Sequence, residues 1–169
     1  MQKTLIEGIS NPKDLEDFLK SQEKFNKKEG SLAKIKPKEH HFREFTTEKG
    51  LKIYVGKNDK DNERLTFIYG RGSDFWLHAA DYPGSHVLLK LDKEKAPDEE
   101  TLLDAMQLAL YFSQARKAGA GEVTITQCKY LSKVKRGQIG QVNVSKNKTA
   151  YVRLDAMRLQ RLLGRPPLF

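Results

Sequence analysis

The chain has 169 residues, with 31 Lys and Arg against 22 Asp and Glu, a net of +9 and a pI near 9.5. Hydrophobic residues make up 38% and charged residues 31%, which implies one domain with a modest core under a charged surface, plus an appendage. One cysteine, Cys128, excludes an intrachain disulfide and a cysteine-cluster metal site. No apolar run has the length of a membrane span and Met1–Phe18 lacks a signal peptide's apolar stretch, so a cytoplasmic protein without a membrane partner is expected.

Residues 1–40 read as a helical appendage and linker. Asn11 suits a helix N-cap, Pro12 the first helical position, and Asp14, Glu16 and Asp17 the positive end of the dipole. Leu15, Phe18, Leu19 and Phe25 form one apolar strip of an amphipathic helix, and Gly30 stops it. The stretch Lys34–Glu39, with Pro37 inside, is a linker.

Residues 41–169 change in texture. His41–Thr46 and Leu51–Val55 predict two strands about the turn Thr47–Gly50, and Asn58–Tyr69 contains a short helix candidate. Phe75–Ala79 reads as a strand, Asp81–Gly84 as a turn and His86–Leu91 as an apolar strand. Leu103, Met106, Leu110 and Ala118 recur near helical spacing after the acidic start Pro97–Glu100. They predict one long helix closed by Gly119, with Arg116 and Lys117 in its last turn. Val123–Cys128 is β-rich. Gln141–Val144 and Thr149–Leu154 flank Ser145–Lys148 as a hairpin, and Asp155 caps a final helix through Leu163. The expected fold is α+β: a mostly antiparallel sheet with one long packed helix, short helices and the N-terminal amphipathic helix.

Charge points to a partner. Residues 41–100 carry 10 basic and 12 acidic side chains, whereas residues 101–169 carry 12 and 3. The excess in the last segment favours a polyanion. The densest stretch is Lys129–Gly140, where Lys129, Lys133, Lys135 and Arg136 surround Tyr130 and precede two glycines. A flexible basic loop can follow phosphates while the aromatic ring stacks on a base; an ordinary solvated loop is the alternative. Lys146, Lys148, Arg116 and Lys117 would extend that surface. Arg153, Arg158, Arg161 and Arg165 are ambiguous, with Arg158 and Arg161 close together on the last helix as an exposed face.

A second cluster is Trp76, His78, Ser85 and His86. Alternation puts Asp74, Trp76 and His78 on one strand face, and the Asp81–Gly84 turn brings His86 back beside His78. The indole and imidazoles suit a nucleotide pocket. Ser85 as a nucleophile with a histidine base, a metal held by Asp74, His78 and His86, and a turn with Trp76 in the core are the alternatives. No further triad partner or second carboxylate has a compelling spacing, so the chain is not expected to be an enzyme, to use a cofactor or to hold a metal.

Three segments carry a family resemblance. They are Asp74–Ala79 with Pro83–Val87, Tyr111–Arg116, and Cys128–Gly137 with Gln141 and Val142, preceded by Ile53–Asn58 and Asn62–Thr66. In order and spacing these resemble the NFACT-R domain, the C-terminal part of large ribosome-associated quality-control proteins, over about His41–Leu154. The resemblance implies RNA binding, with tRNA or rRNA and the ribosome as partners. The large relatives' other domains do not fit in 40 residues, so a stand-alone NFACT-R protein is expected and their peptide-tailing activity is not carried over. The resemblance also offers an accessory role in tRNA 4-thiouridine formation, in which Cys128 would carry sulfur. A module that recruits a protein through the N-terminal helix is a third reading.

Overall fold

The computed structural model describes residues 42–91 and 96–169. The expected N-terminal amphipathic helix and its linker lie outside the described residues. Eight strands and three α-helices follow in the order β1 (Arg43–Thr46), β2 (Lys52–Val55), α1 (Asp59–Arg64), β3 (Phe75–Ala79), β4 (Val87–Leu89), α2 (Glu99–Tyr111), β5 (Ala120–Gln127), β6 (Leu131–Lys133), β7 (Val142–Val144), β8 (Lys148–Arg153) and α3 (Ala156–Leu163). Six strands form one sheet in the order β1-β2-β4-β3-β5-β8, and every neighbouring pair is antiparallel. The α+β expectation holds. None of the described helices is long and apolar enough to cross a membrane.

Period-two alternation sorts the two sheet faces. Ile53, Val55, Leu77, Val87, Leu89, Val123 and Ile125 point to one side, where Ala105, Leu108, Ala109 and Leu110 of α2 and Leu162 of α3 cover them. Burying one such Leu or Val side chain contributes about 1.5–3 kcal/mol, so this layer is the main stabilising contact. Tyr54, Trp76 and Leu88 point the other way, beneath α1 and the wide turn Leu65–Tyr69 that follows it. That turn closes with an i+5 bond, Gly70 N–H to the Leu65 carbonyl at 2.9 Å. Gly56 is required beside α1, because a Cβ there would stand 2.0 Å from Asn62 Oδ1. The same Asn62 oxygen accepts the backbone N–H of His86 at 3.0 Å.

The helix expected to run from Pro97 to Gly119 ends at Tyr111. Asp98 caps its start, accepting from the Thr101 N–H at 2.9 Å. Beyond Tyr111 the backbone is recruited by the Asp81–Gly84 turn: Ser85 N–H donates to the Phe112 carbonyl and Gln114 N–H to the Pro83 carbonyl, both at 3.0 Å. Ser113 becomes extended and caps a short 3-10 turn, Gln114–Ala118, so Arg116 and Lys117 leave the helix axis.

A second correction concerns the hairpin expected between Gln141 and Leu154. β7 pairs instead with β6, drawn from the stretch expected to be a loop, while β8 pairs with β5 from Ala120↔Arg153 to Ile125↔Lys148. The free edge of β5 offers a longer ladder than β7 does. Thr126 Oγ1 anchors the connection by donating to the Lys146 carbonyl. The β-rich stretch assigned to Val123–Cys128 starts earlier, at Ala120, and Cys128 opens a short turn rather than ending the strand.

Candidate nucleic-acid interface

The β6–β7 hairpin gathers part of the predicted basic site. Tyr130 is half-buried and carries two cations near its ring, with Lys129 Nζ 5.2 Å and Lys146 Nζ 5.6 Å from the centroid. Ser145 fixes this approach, its N–H reaching the Tyr130 carbonyl at 2.9 Å. Lys133 lies on β6, 5.5 Å from the Phe67 ring and 3.5 Å from Glu63 Oε1. Lys135 and Arg136 stand exposed in the loop beyond it. Arg136 has φ +58°, in the left-handed region, so the loop holds a defined turn rather than an open coil. Gly140, at φ +88°, closes the loop against Asp59 at the start of α1. The geometry is a short two-stranded arm on which Lys129, Lys135, Arg136 and Lys146 are exposed and Lys133 is held by Phe67 and Glu63. That arrangement can contact phosphates, with Tyr130 beside two of the cations.

Lys148 is not part of this cluster. It opens β8 opposite Ile125, on the sheet face that Ala150 and Val152 present to the helices. Arg116 and Ser85 line a separate groove at the end of the sheet. Arg158 and Arg161 are not a free basic face. Asp104, only 2% exposed, accepts from Arg158 Nη1 at 2.8 Å and Arg161 Nη2 at 2.6 Å, and Arg158 also reaches Glu100.

The second predicted cluster is brought together but turned inward. Trp76 is 3% and His86 5% exposed. Trp76 Nε1 donates to Thr66 Oγ1 at 3.1 Å, and the same hydroxyl lies 2.7 Å from His86 Nδ1. His78 stacks on the indole at 5.8 Å, and its Nε2 is 3.2 Å from the Gly84 carbonyl. His78 stacks against the indole and His86 meets it nearly at right angles, and at this burial neither Trp76 nor His86 offers a ring to a base. These residues hold the Asp81–Gly84 turn. Burial lowers the pKa of both histidines, that of His86 to about 3, although the backbone at Gly84 and at Asn62 and Gly140 pulls the other way.

The alternatives at this cluster lack their geometry. Ser85 Oγ makes no hydrogen bond to either imidazole among the described residues. Asp74 is engaged elsewhere, accepting from Lys90 Nζ at 2.7 Å and from the Leu91 and Arg71 N–H groups. Among the described residues no three His, Cys, Asp or Glu side chains converge as metal ligands. Cys128 lies half-buried beside Gly70, and burial with the Asp74 charge pushes its thiol up to about 12. The thiolate that sulfur carriage requires is disfavoured there, although Lys90 opposes the shift.

Sequence reasoning missed Arg43 and Lys57, which line the groove with Arg116, Lys117 and Arg165. Spacing along the chain carries no signal for this grouping. Only the strand order brings these positions together.

Comparison with known proteins agrees with this architecture. The family described as the NFACT protein RNA binding domain matches residues 40–146. The Rqc2 homolog RqcH of Bacillus subtilis is 32% identical over 158 residues, covering 90% of this chain and 27% of that protein. The Streptococcus pneumoniae Rqc2 homolog RqcH is 38% identical over 107 residues, covering 63% of this chain and 19% of its own length. The chain thus spans about a quarter or less of these relatives. A solved structure of the C-terminal part of the fibronectin/fibrinogen-binding protein from Streptococcus suis superposes with a TM-score of 0.66 at 34% identity, over 72% of this chain and 49% of that one. With its six-stranded antiparallel sheet, helical cover and projecting basic hairpin, the chain belongs to the NFACT protein RNA binding domain family.

Proposed function

We propose that this chain is a cytoplasmic RNA-binding module that binds structured RNA, tRNA or rRNA, in ribosome-associated quality control. The observation that carries the reading is the β6–β7 arm, with Lys129 and Lys146 at Tyr130, Lys133 on β6 and Lys135 and Arg136 exposed in the loop, in a chain of this family. Exposed cations spaced along a hairpin recognise a phosphate chain. The Rqc2 homolog names support the quality-control setting.

The test is a titration of labelled tRNA, and of an rRNA fragment, across a range of salt concentrations. If three to five phosphates are neutralised, log affinity falls against log salt with a slope of roughly −2 to −4. A flat salt response, or no binding at low salt, defeats the reading.

A further inference from the structure

At one end of the sheet lies a groove of about 990 Å³. The start of β1, the end of β2, the Asp81–Gly84 turn, the Gln114–Ala118 turn and the tail after α3 meet there. Arg43, Lys57, Arg116, Lys117 and Arg165 line it, and among the described residues no Asp or Glu does. Two of the guanidiniums are held by aromatic rings instead of carboxylates. Arg43 lies 4.7 Å from the Phe112 ring centroid and Arg116 4.9 Å from that of Tyr111. The rings themselves meet edge to face at 5.0 Å, and the Tyr111 hydroxyl accepts the Leu168 N–H at 3.1 Å, fixing the tail as a wall. A ring positions a guanidinium without neutralising it, and although Arg43 Nη1 reaches the Gly56 carbonyl at 3.5 Å, its remaining donors and those of Arg116 stay available to an anion. Five converging cations repel one another, and an anion that enters relieves that repulsion.

Shape and continuity narrow the anion. The recess is concave and framed by two turns and a chain tail, which admits a single strand, whereas an A-form duplex presents a wide convex surface. The hairpin loop closes at Gly140 against Asp59, two residues beyond Lys57 on the groove rim. The arm and the groove therefore flank the same end of α1.

We infer that the groove takes the phosphates of a single-stranded RNA segment and continues the track of the β6–β7 arm, making one two-part site. This rests on the RNA-binding reading above and adds to it a preference for a single-stranded segment beside structured RNA.

The experiment compares the full chain with a Lys57→Gln, Lys117→Gln, Arg165→Gln variant. These three side chains are exposed, so the variant should melt like the parent. Fluorescence anisotropy is read with an unstructured RNA of about 20 nucleotides, longer than the 4–16 that one small nucleic-acid-binding fold typically covers, and with a blunt duplex of similar charge. The expected result is a loss of tenfold or more on the single strand and less than twofold on the duplex. The single-strand salt slope should become shallower by about 0.7 for each phosphate no longer neutralised. Unchanged single-strand binding, or equal loss on both RNAs, overturns the inference. Displacement of the single strand from the parent protein by oligoglutamate of matched charge also overturns it, since an acidic peptide would then be the better occupant. If the parent binds neither RNA at low salt, the RNA-binding reading itself fails, and this control separates the two failures.

Discussion

Thr66 Oγ1 sits between Trp76 Nε1 and His86 Nδ1, and a hydroxyl has one proton to give. It accepts from the indole and can give that proton to Nδ1 of a neutral imidazole, in a site where His86 is only 5% exposed. The folded protein therefore resists protonation there: the pKa falls from an ordinary 6.5 to about 3, chiefly through burial and then through the neighbouring His78. Between those values the unfolded chain binds one more proton than the folded one, so stability rises with pH across the window and is lost as pH falls from 6.5 toward 3. This one group contributes a slope of up to about 1.4 kcal/mol per pH unit. Urea denaturation at pH 7 and pH 4.5 should show that acid loss, and His86→Gln should reduce it. An identical pH dependence in the variant would mean that other groups dominate.

At the scale of elements, the β6–β7 arm differs from the loop its glycines suggest. Pairing of Leu131 with Val144 and Lys133 with Val142 stiffens it, so its cations keep their spacing without ordering a floppy segment on binding. Replacing Lys133, Lys135 and Arg136 together by Ala should leave the melting temperature within a few degrees of the parent, since all three are exposed. The ion pair of Lys133 with Glu63 is a surface one, worth at most about 1 kcal/mol. RNA affinity should fall by a similar factor for different sequences, because phosphate contacts position an RNA without reading it. A control must remove equal charge from cations that do not hold the core. Arg158 and Arg161 fail that requirement. Lys49, Lys52 and Arg153 are exposed, and Lys49 and Lys52, at the end of β1 and β2 away from the groove, make only surface ion pairs, with Asp98 and Glu44, so the melting temperature of this control is checked alongside its affinity. An equal drop in this control would assign the effect to bulk charge.

Across the whole molecule, one buried carboxylate joins the last helix to the first layer. Asp104 on α2 takes both Arg158 and Arg161 of α3, and Arg161 also lies 3.3 Å from Glu48 in the β1–β2 turn. Gln107, one turn along α2, donates to the Arg153 carbonyl at 2.7 Å and accepts the Asp155 N–H at 2.9 Å, which sets where β8 ends and α3 begins. In Asp104→Ala, Arg158 keeps Glu100 and Arg161 keeps Glu48, so what is lost is the pair of charge-assisted hydrogen bonds that ties α3 to α2. A hydrogen bond to a charged group is worth about 1.5–3 kcal/mol, and the solvent exposure and remaining partners of the two arginines place the expected destabilisation in urea at about 2 kcal/mol. A change below about 1 kcal/mol would show that solvent already screens the cluster. Loosening α3 should also disturb the groove wall, because Leu163 ends that helix and Arg165 follows it.

The chain by itself determined what short-range rules govern. Phe75–Ala79 was legible because alternation and the Asp81–Gly84 turn leave only a strand, and α3 because Asp155 caps it and Gly164 ends it at φ +68°. The meeting of His78 with His86 followed from one tight turn, and their rings lie 5.6 Å apart. The basic density of Lys129–Arg136 was a property of composition. What the tertiary structure decided was competition between distant segments. Spacing alone continued the second helix to Gly119, but the backbone at Pro83 and Ser85 captured Phe112 and Gln114 and stopped it. Adjacency suggested β7 with β8, but the open edge of β5 outcompeted β7. Exposure was likewise settled by packing: the residue type at Trp76 suits base stacking, yet the cover of Leu65–Tyr69 and the Thr66 hydroxyl made it core. The groove cations Arg43, Lys57, Arg116 and Arg165 share no spacing, because antiparallel strand order, not sequence distance, places the ends of β1, β2 and α3 side by side.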